Sequence, residues 1–144
     1  MNAAAVHLAL NYFPPILNLA GLVLLVSGLS VKSFALTRAA FSILLCAALI
    51  AVPVFLSGRR AEDIVKAVQA VDVAAIQPHE EAATAAFVFL LLEGVVALIA
   101  LIGKPRPALT MVVVFVAVIA TVLVFFTARL GGRIHHPEVQ IRRG

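Results

Sequence analysis

Apolar and polar positions divide the chain into four long apolar runs, about residues 5–29, 34–56, 79–102 and 108–127, joined by short polar stretches. Each run is long enough to cross a bilayer as a helix, which takes about 20 residues. The runs are not uniform. In the first, alternating helical steps pass through His7, Asn11, Pro14, Asn18, Gly21, Leu25 and Gly28. In the third they pass through His79, Ala83, Ala86, Leu90, Glu93, Ala97 and Ala100. Residues at that spacing share one helix face. A stripe of polar and small residues, with Leu and Val elsewhere, is how helices pack on one another in lipid. The pattern predicts an all-α fold, an integral membrane four-helix bundle.

The connections add detail. Pro14-Pro15 should kink the first span or set apart a short segment carrying His7, because proline interrupts a helix interior. Ser30 to Thr37 makes a short turn containing Lys32. The second span looks like scaffold and should end at Ser57-Gly58-Arg59-Arg60, where glycine and arginines suit an interfacial helix end. Ile64, Val65, Val68 and Val71 form one face of a short amphipathic helix, about residues 61–71, expected to lie on the membrane between spans two and three. Pro78 should open the third span, and Gly103-Lys104-Pro105-Arg106-Pro107 is a tight basic turn. There is no internal repeat and no low-complexity segment.

Composition agrees with one membrane domain spanning residues 1–144. The chain is 63% hydrophobic and 12% charged, with mean hydropathy +1.13; soluble domains average about 25% charged residues. Lys and Arg, 11 against 7 acidic residues, sit in the connections. They read as membrane-flank charge rather than a nucleic-acid surface, since no basic run is interleaved with aromatics. The lone Cys46 excludes an internal disulfide and a CxxCH attachment within this chain, and reads as a small packing residue. The amino terminus lacks a basic n-region and a small-residue cleavage site, so its apolar segment is expected to be retained.

Four crossings put His7, His79, His135 and His136 on one side of the membrane, with Glu80, Glu81, Glu138, Arg59, Arg60, Arg129 and Arg133. Glu93 lies roughly 21 Å along its helix from His79, and Asn18 about 16 Å beyond His7, at a helical rise of about 1.5 Å per residue. The two levels match. An Asn18–Glu93 hydrogen bond across the bundle follows, with Glu93 in its neutral form; a proton or quinone site is the functional alternative. Imidazoles from facing helices can ligate haem iron, which would draw two of His7, His79 and His136, beside Asn11. Arg59, Arg129 and Arg133 are placed for the propionates. The same histidines with Glu80 and Glu81 could instead hold Zn, Mn or Fe. The plainest alternative is that interfacial His and Glu only cap helix ends and pair with arginines.

Three motifs occur in order: H-L-A-L-N-Y-F-P from His7 to Pro14, P-H-E-E-A-A from Pro78 to Ala83, and G-G-R-I-H-H-P-E from Gly131 to Glu138. Together they resemble a bacterial family of small four-span membrane proteins of unassigned function. Some of its members are fused to, or encoded beside, cytochrome c modules and are suspected of binding haem. The resemblance implies that His7, Asn11, Pro14, His79, Glu80, Gly131, Gly132, His136 and Glu138 are the family's positions. His135 stands where the family more often has a basic residue. Short-loop charge and the implied cytochrome association orient the termini and the histidines towards the periplasm or exterior of a bacterial inner membrane.

The resulting expectation is a b-type haem protein passing electrons between a redox partner, such as a cytochrome c or dehydrogenase subunit, and the quinone pool. It would be a non-catalytic subunit of an oxidoreductase complex, with a homo-oligomer also open. No Ser–His–Asp arrangement or G-x-S-x-G marks a hydrolase. A metal-binding or metal/proton-transporting protein, or a purely structural subunit, are the alternatives.

Overall fold

The computed structural model describes the backbone of residues 3–67, 73–104 and 106–135, and side chains within 6–61, 76–104 and 106–132. It is all-α. The helices are α1 (Ala3–Leu10), α2 (Phe13–Ser30), α3 (Phe34–Ala67), α4 (Val73–Ile102) and α5 (Pro107–His135). Segments of four of them, Val6–Ser30, Phe34–Ala61, Ile76–Ile102 and Pro107–Gly132, are long and apolar enough to cross a membrane. The chain is therefore a multi-pass membrane protein. α2 packs on α3, α3 on α4, α4 on α5 and α5 back on α2, closing an up-down-up-down bundle.

Pro14 and Pro15 separate α1 from α2, as expected. Asn11 and Tyr12 form the turn, and the prolines enter at the start of α2, where their missing N–H groups are least costly. The α2–α3 connection is tighter than the predicted Ser30–Thr37 turn. Ser33 N–H donates to Gly28 O at 2.8 Å and Lys32 N–H to Leu29 O at 3.2 Å, a Schellman closure. Lys32 takes the left-handed position, φ 54°. Ser33 Oγ then accepts from Leu36 N–H at 3.3 Å and caps α3.

Two boundaries differ from expectation. The helix α3 does not end at Ser57-Gly58-Arg59-Arg60 but runs unbroken to Ala67. Gly58 is held within the helix by packing, described below, and residues 62–67 extend α3 in place of the first half of a separate interfacial helix. Residues 68–72 lie outside the described residues. Pro78 does not open α4; the helix begins at Val73 and carries Pro78 inside it.

The interior is layered. On the side of the α2–α3 turn, Leu25, Ala40, Phe41, Leu44, Ala97, Val113 and Ala117 form an apolar cluster. Towards the other end, Ala51, Ala86, Leu90, Ala120 and Val124 form a second. Between them lie Asn18 and Glu93, both wholly buried. The predicted stripe of α2 is the buried face: Pro14, Pro15, Asn18, Gly21, Leu25 and Gly28. Outward positions such as Val23, Leu49, Phe115 and Phe126 are large and apolar, as a lipid-facing surface requires. Cys46 is exposed on that surface rather than packed inside.

Candidate functional site: two clamped histidines and a mid-bundle polar layer

His7 sits on α1 beside the far end of α3. Its Nδ1 lies 3.0 Å from Val54 O. A carbonyl only accepts, so Nδ1 carries the hydrogen and donates it. In a neutral ring this leaves the lone pair on Nε2. The imidazole also packs against Gly58, one turn beyond Val54. A Cβ built on Gly58 would stand 2.9 Å from the ring's Cε1, too close for any other residue type without displacing the ring.

His79 repeats the arrangement on α4. Its Nδ1 donates to Thr127 O, near the end of α5, at 3.1 Å. A Cβ on Gly131, one turn further on, would stand 3.0 Å from His79 Cε1. The separations between histidine and carbonyl residue are 47 and 48 positions. The end of α3 and the start of α4 adjoin in the chain, so both histidines occupy the same end of the bundle, as the even number of crossings requires. Each ring is tied to the return helix of its own hairpin.

The carbonyl residues Val54 and Thr127 and the glycines Gly58 and Gly131 each lie 73 positions apart, whereas the histidines lie 72 apart. The likeness is local to the histidine clamps: Gly21 packs on Leu44 of its own hairpin, but Gly94 packs on Ala48 of the other.

No protein-family profile matches the chain, and no curated protein or solved structure does either. What the site does must come from its own geometry.

The remaining predicted site residues divide. Asn11 follows His7 by one turn, its N–H donating to His7 O at 2.9 Å. Its side-chain Oδ1 is shielded from solvent and has no hydrogen-bond partner among the described residues. Glu80 is half-buried, while Glu81 is exposed and accepts from Gln77 Nε2 at 3.0 Å. Arg59 follows Gly58 directly and Arg129 precedes Gly131 by two positions; both are exposed. The side chains of Arg133 and His135, and all of His136 and Glu138, lie outside the described residues. Among the described residues no three His, Cys, Asp or Glu side chains are gathered as a metal ion would require. Phe55 of α3 and Phe87 of α4 stack face to face, centroids 4.2 Å apart.

Glu93 and Asn18 meet at mid-bundle, as their depths predict. One end of the Asn18 amide lies 2.6 and 3.0 Å from the two Glu93 carboxyl oxygens, and the other 2.8 Å from Thr121 Oγ1. Thr121 Oγ1 also donates to Ala117 O at 2.7 Å. Sequence reasoning missed Thr121 as a member of this layer and Gly58 as the seat of His7.

Proposed function

We propose that this chain binds a b-type haem at the histidine end of the bundle, where His7 and His79, one imidazole from each hairpin, would hold its iron. The clamp on each ring carries the reading. An Nδ1–H bonded to a backbone carbonyl fixes the orientation of the ring and raises its basicity, which is how metal-ligating histidines are commonly held. The glycine beneath each ring gives the imidazole room between helices. Asn11 Oδ1, an occluded acceptor one turn from His7, would be satisfied by a donor arriving with a bound group or its water.

Haem fits this donor set better than a bare metal ion. Porphyrin supplies four nitrogens of its own, so the protein need give only one or two, whereas a Zn or Mn site at His7, His79, His136 and Glu80 needs three or more protein ligands in one place. The apolar cluster of Ala51, Ala86, Leu90, Ala120 and Val124 lies between the histidine end and the mid-bundle polar layer, apolar surroundings that suit a macrocycle. Arg59, Arg129 and Arg133 are cations of that end, suited to propionates. His136 is the alternative second ligand. Bound haem would supply one-electron chemistry; the chain's own residues would hold it, orient it and keep one face in apolar surroundings.

On this reading the protein is a bacterial inner-membrane subunit with its histidine end outward, related to the four-span family it resembles. It would pass electrons between a cytochrome c or dehydrogenase partner and the quinone pool. An absorption spectrum of the purified protein tests it. A Soret band that shifts on dithionite reduction is expected. No Soret band, with stoichiometric metal by elemental analysis, would favour the metal-ion reading; neither would leave a structural subunit.

A further inference from the structure

We propose that Glu93, Asn18 and Thr121 form a reversible proton-binding site at the middle of the membrane, whose two states differ by a half-turn of the Asn18 amide. The inference goes beyond the haem reading and does not depend on it.

The heavy atoms accommodate either orientation of the Asn18 amide, each suited to one protonation state of Glu93. With Glu93 protonated, its O–H donates to Asn18 Oδ1, and the separation of 2.6 Å is that of an O–H···O bond. Asn18 Nδ2 then donates to Thr121 Oγ1 at 2.8 Å, and the threonine hydroxyl donates to Ala117 O at 2.7 Å. With Glu93 ionised, the amide turns over. Nδ2 now donates to both carboxylate oxygens, and Asn18 Oδ1 accepts from Thr121 Oγ1 at 2.8 Å and Thr121 N–H at 3.2 Å. The proton leaves to water as hydronium, and the electron pair stays on the carboxylate. Each orientation keeps one contact between acceptors: Glu93's other oxygen stands 3.0 Å from Asn18 Oδ1 in the first, and Ala117 O stands 3.4 Å from Asn18 Oδ1 in the second.

The surroundings make the choice sensitive to the proton alone. Glu93 and Asn18 are wholly buried. Within residues 13–30 of α2, 39–58 of α3, 82–103 of α4 and 107–128 of α5, Glu93 is the only Asp, Glu, Lys, Arg or His. Cys46, the one thiol in those stretches, faces outward. Among the described residues no neighbouring cation holds the carboxylate permanently ionised. Such a group inside a membrane bundle is costly unless it has work to do.

Infrared difference spectra of the full chain in lipid vesicles, recorded while pH is stepped up and back, test the proposal. Wild type should show a carboxylic-acid C=O band that disappears as pH rises, returns as it falls and shifts in D2O. The band should be absent in Glu93→Gln, which folds because its amide copies the protonated pattern, a carbonyl plus one donor to Asn18. Asn18→Leu provides a second assignment, since it removes the donor to the carboxylate. Its acid band should lose the hydrogen-bond shift and persist about one pH unit higher, a tenfold change in proton affinity. A band present and unchanged throughout the range would overturn the proposal, as would no acid band at any pH. An Asn18→Leu titration that coincides with wild type would also overturn it. So would bleaching of the band by added sodium at fixed pH, which would give the oxygen set to a metal cation.

Discussion

The two hairpins agree at the rim and disagree at the centre. At the rim, His7 with Val54 and Gly58 matches His79 with Thr127 and Gly131 in bond, spacing and packing. At the centre, α2 contributes Asn18, α4 contributes Glu93 and α5 contributes Thr121, while α3 faces the same layer with alanines. Ala48, 73 positions before Thr121, is a methyl group packed against Gly94. Features common to both hairpins are what each half supplies by itself. Features present in one half are what the pair adds together. The clamp on the imidazole belongs to the first kind and the polar layer to the second.

Substitution should break this comparison in a graded way. The largest effect is expected from filling the glycine seats. Gly58→Leu and Gly131→Leu would each evict an imidazole, at about 1–3 kcal/mol for overpacking a well-filled site. Unfolding in mixed micelles should find the two costs alike; if only one is felt, the halves are not equivalent. Next, Asn18→Leu removes the bond to Glu93 across the bundle and should cost about 1–2 kcal/mol, the upper range for interhelical hydrogen bonds in membranes. Thr121→Val should cost less, about 0.6 kcal/mol, because its hydroxyl also satisfies its own helix. Cys46→Ala, on the lipid face, should stay within about 0.5 kcal/mol of wild type. A larger loss there would mean that this face is covered.

Much of this architecture is legible in the sequence because lipid removes ambiguity. Any polar or small residue in an apolar run must find protein, so the stripe from Pro14 to Gly28 announces the buried face of α2. Helical rise alone brings Asn18 level with Glu93. Thr121 is illegible for a physical reason: threonine returns its hydroxyl to its own helix, so its presence in a span demands no partner. Gly58 misleads because glycine beside Arg59-Arg60 has the composition of a helix end. Only the ring of His7 above it explains a glycine inside a continuing helix. The likeness of the two clamps is hidden because the histidines are offset by one residue from the spacing that aligns the glycines.

The most direct test of the central claim, that each hairpin offers one equivalently held imidazole to a shared haem, is a haem titration of the purified apoprotein. His7→Ala and His79→Ala are compared with wild type. Wild type should saturate with a low-spin spectrum, and each single substitution should abolish the low-spin form. If either variant keeps the wild-type spectrum, the symmetric ligation proposed here is wrong.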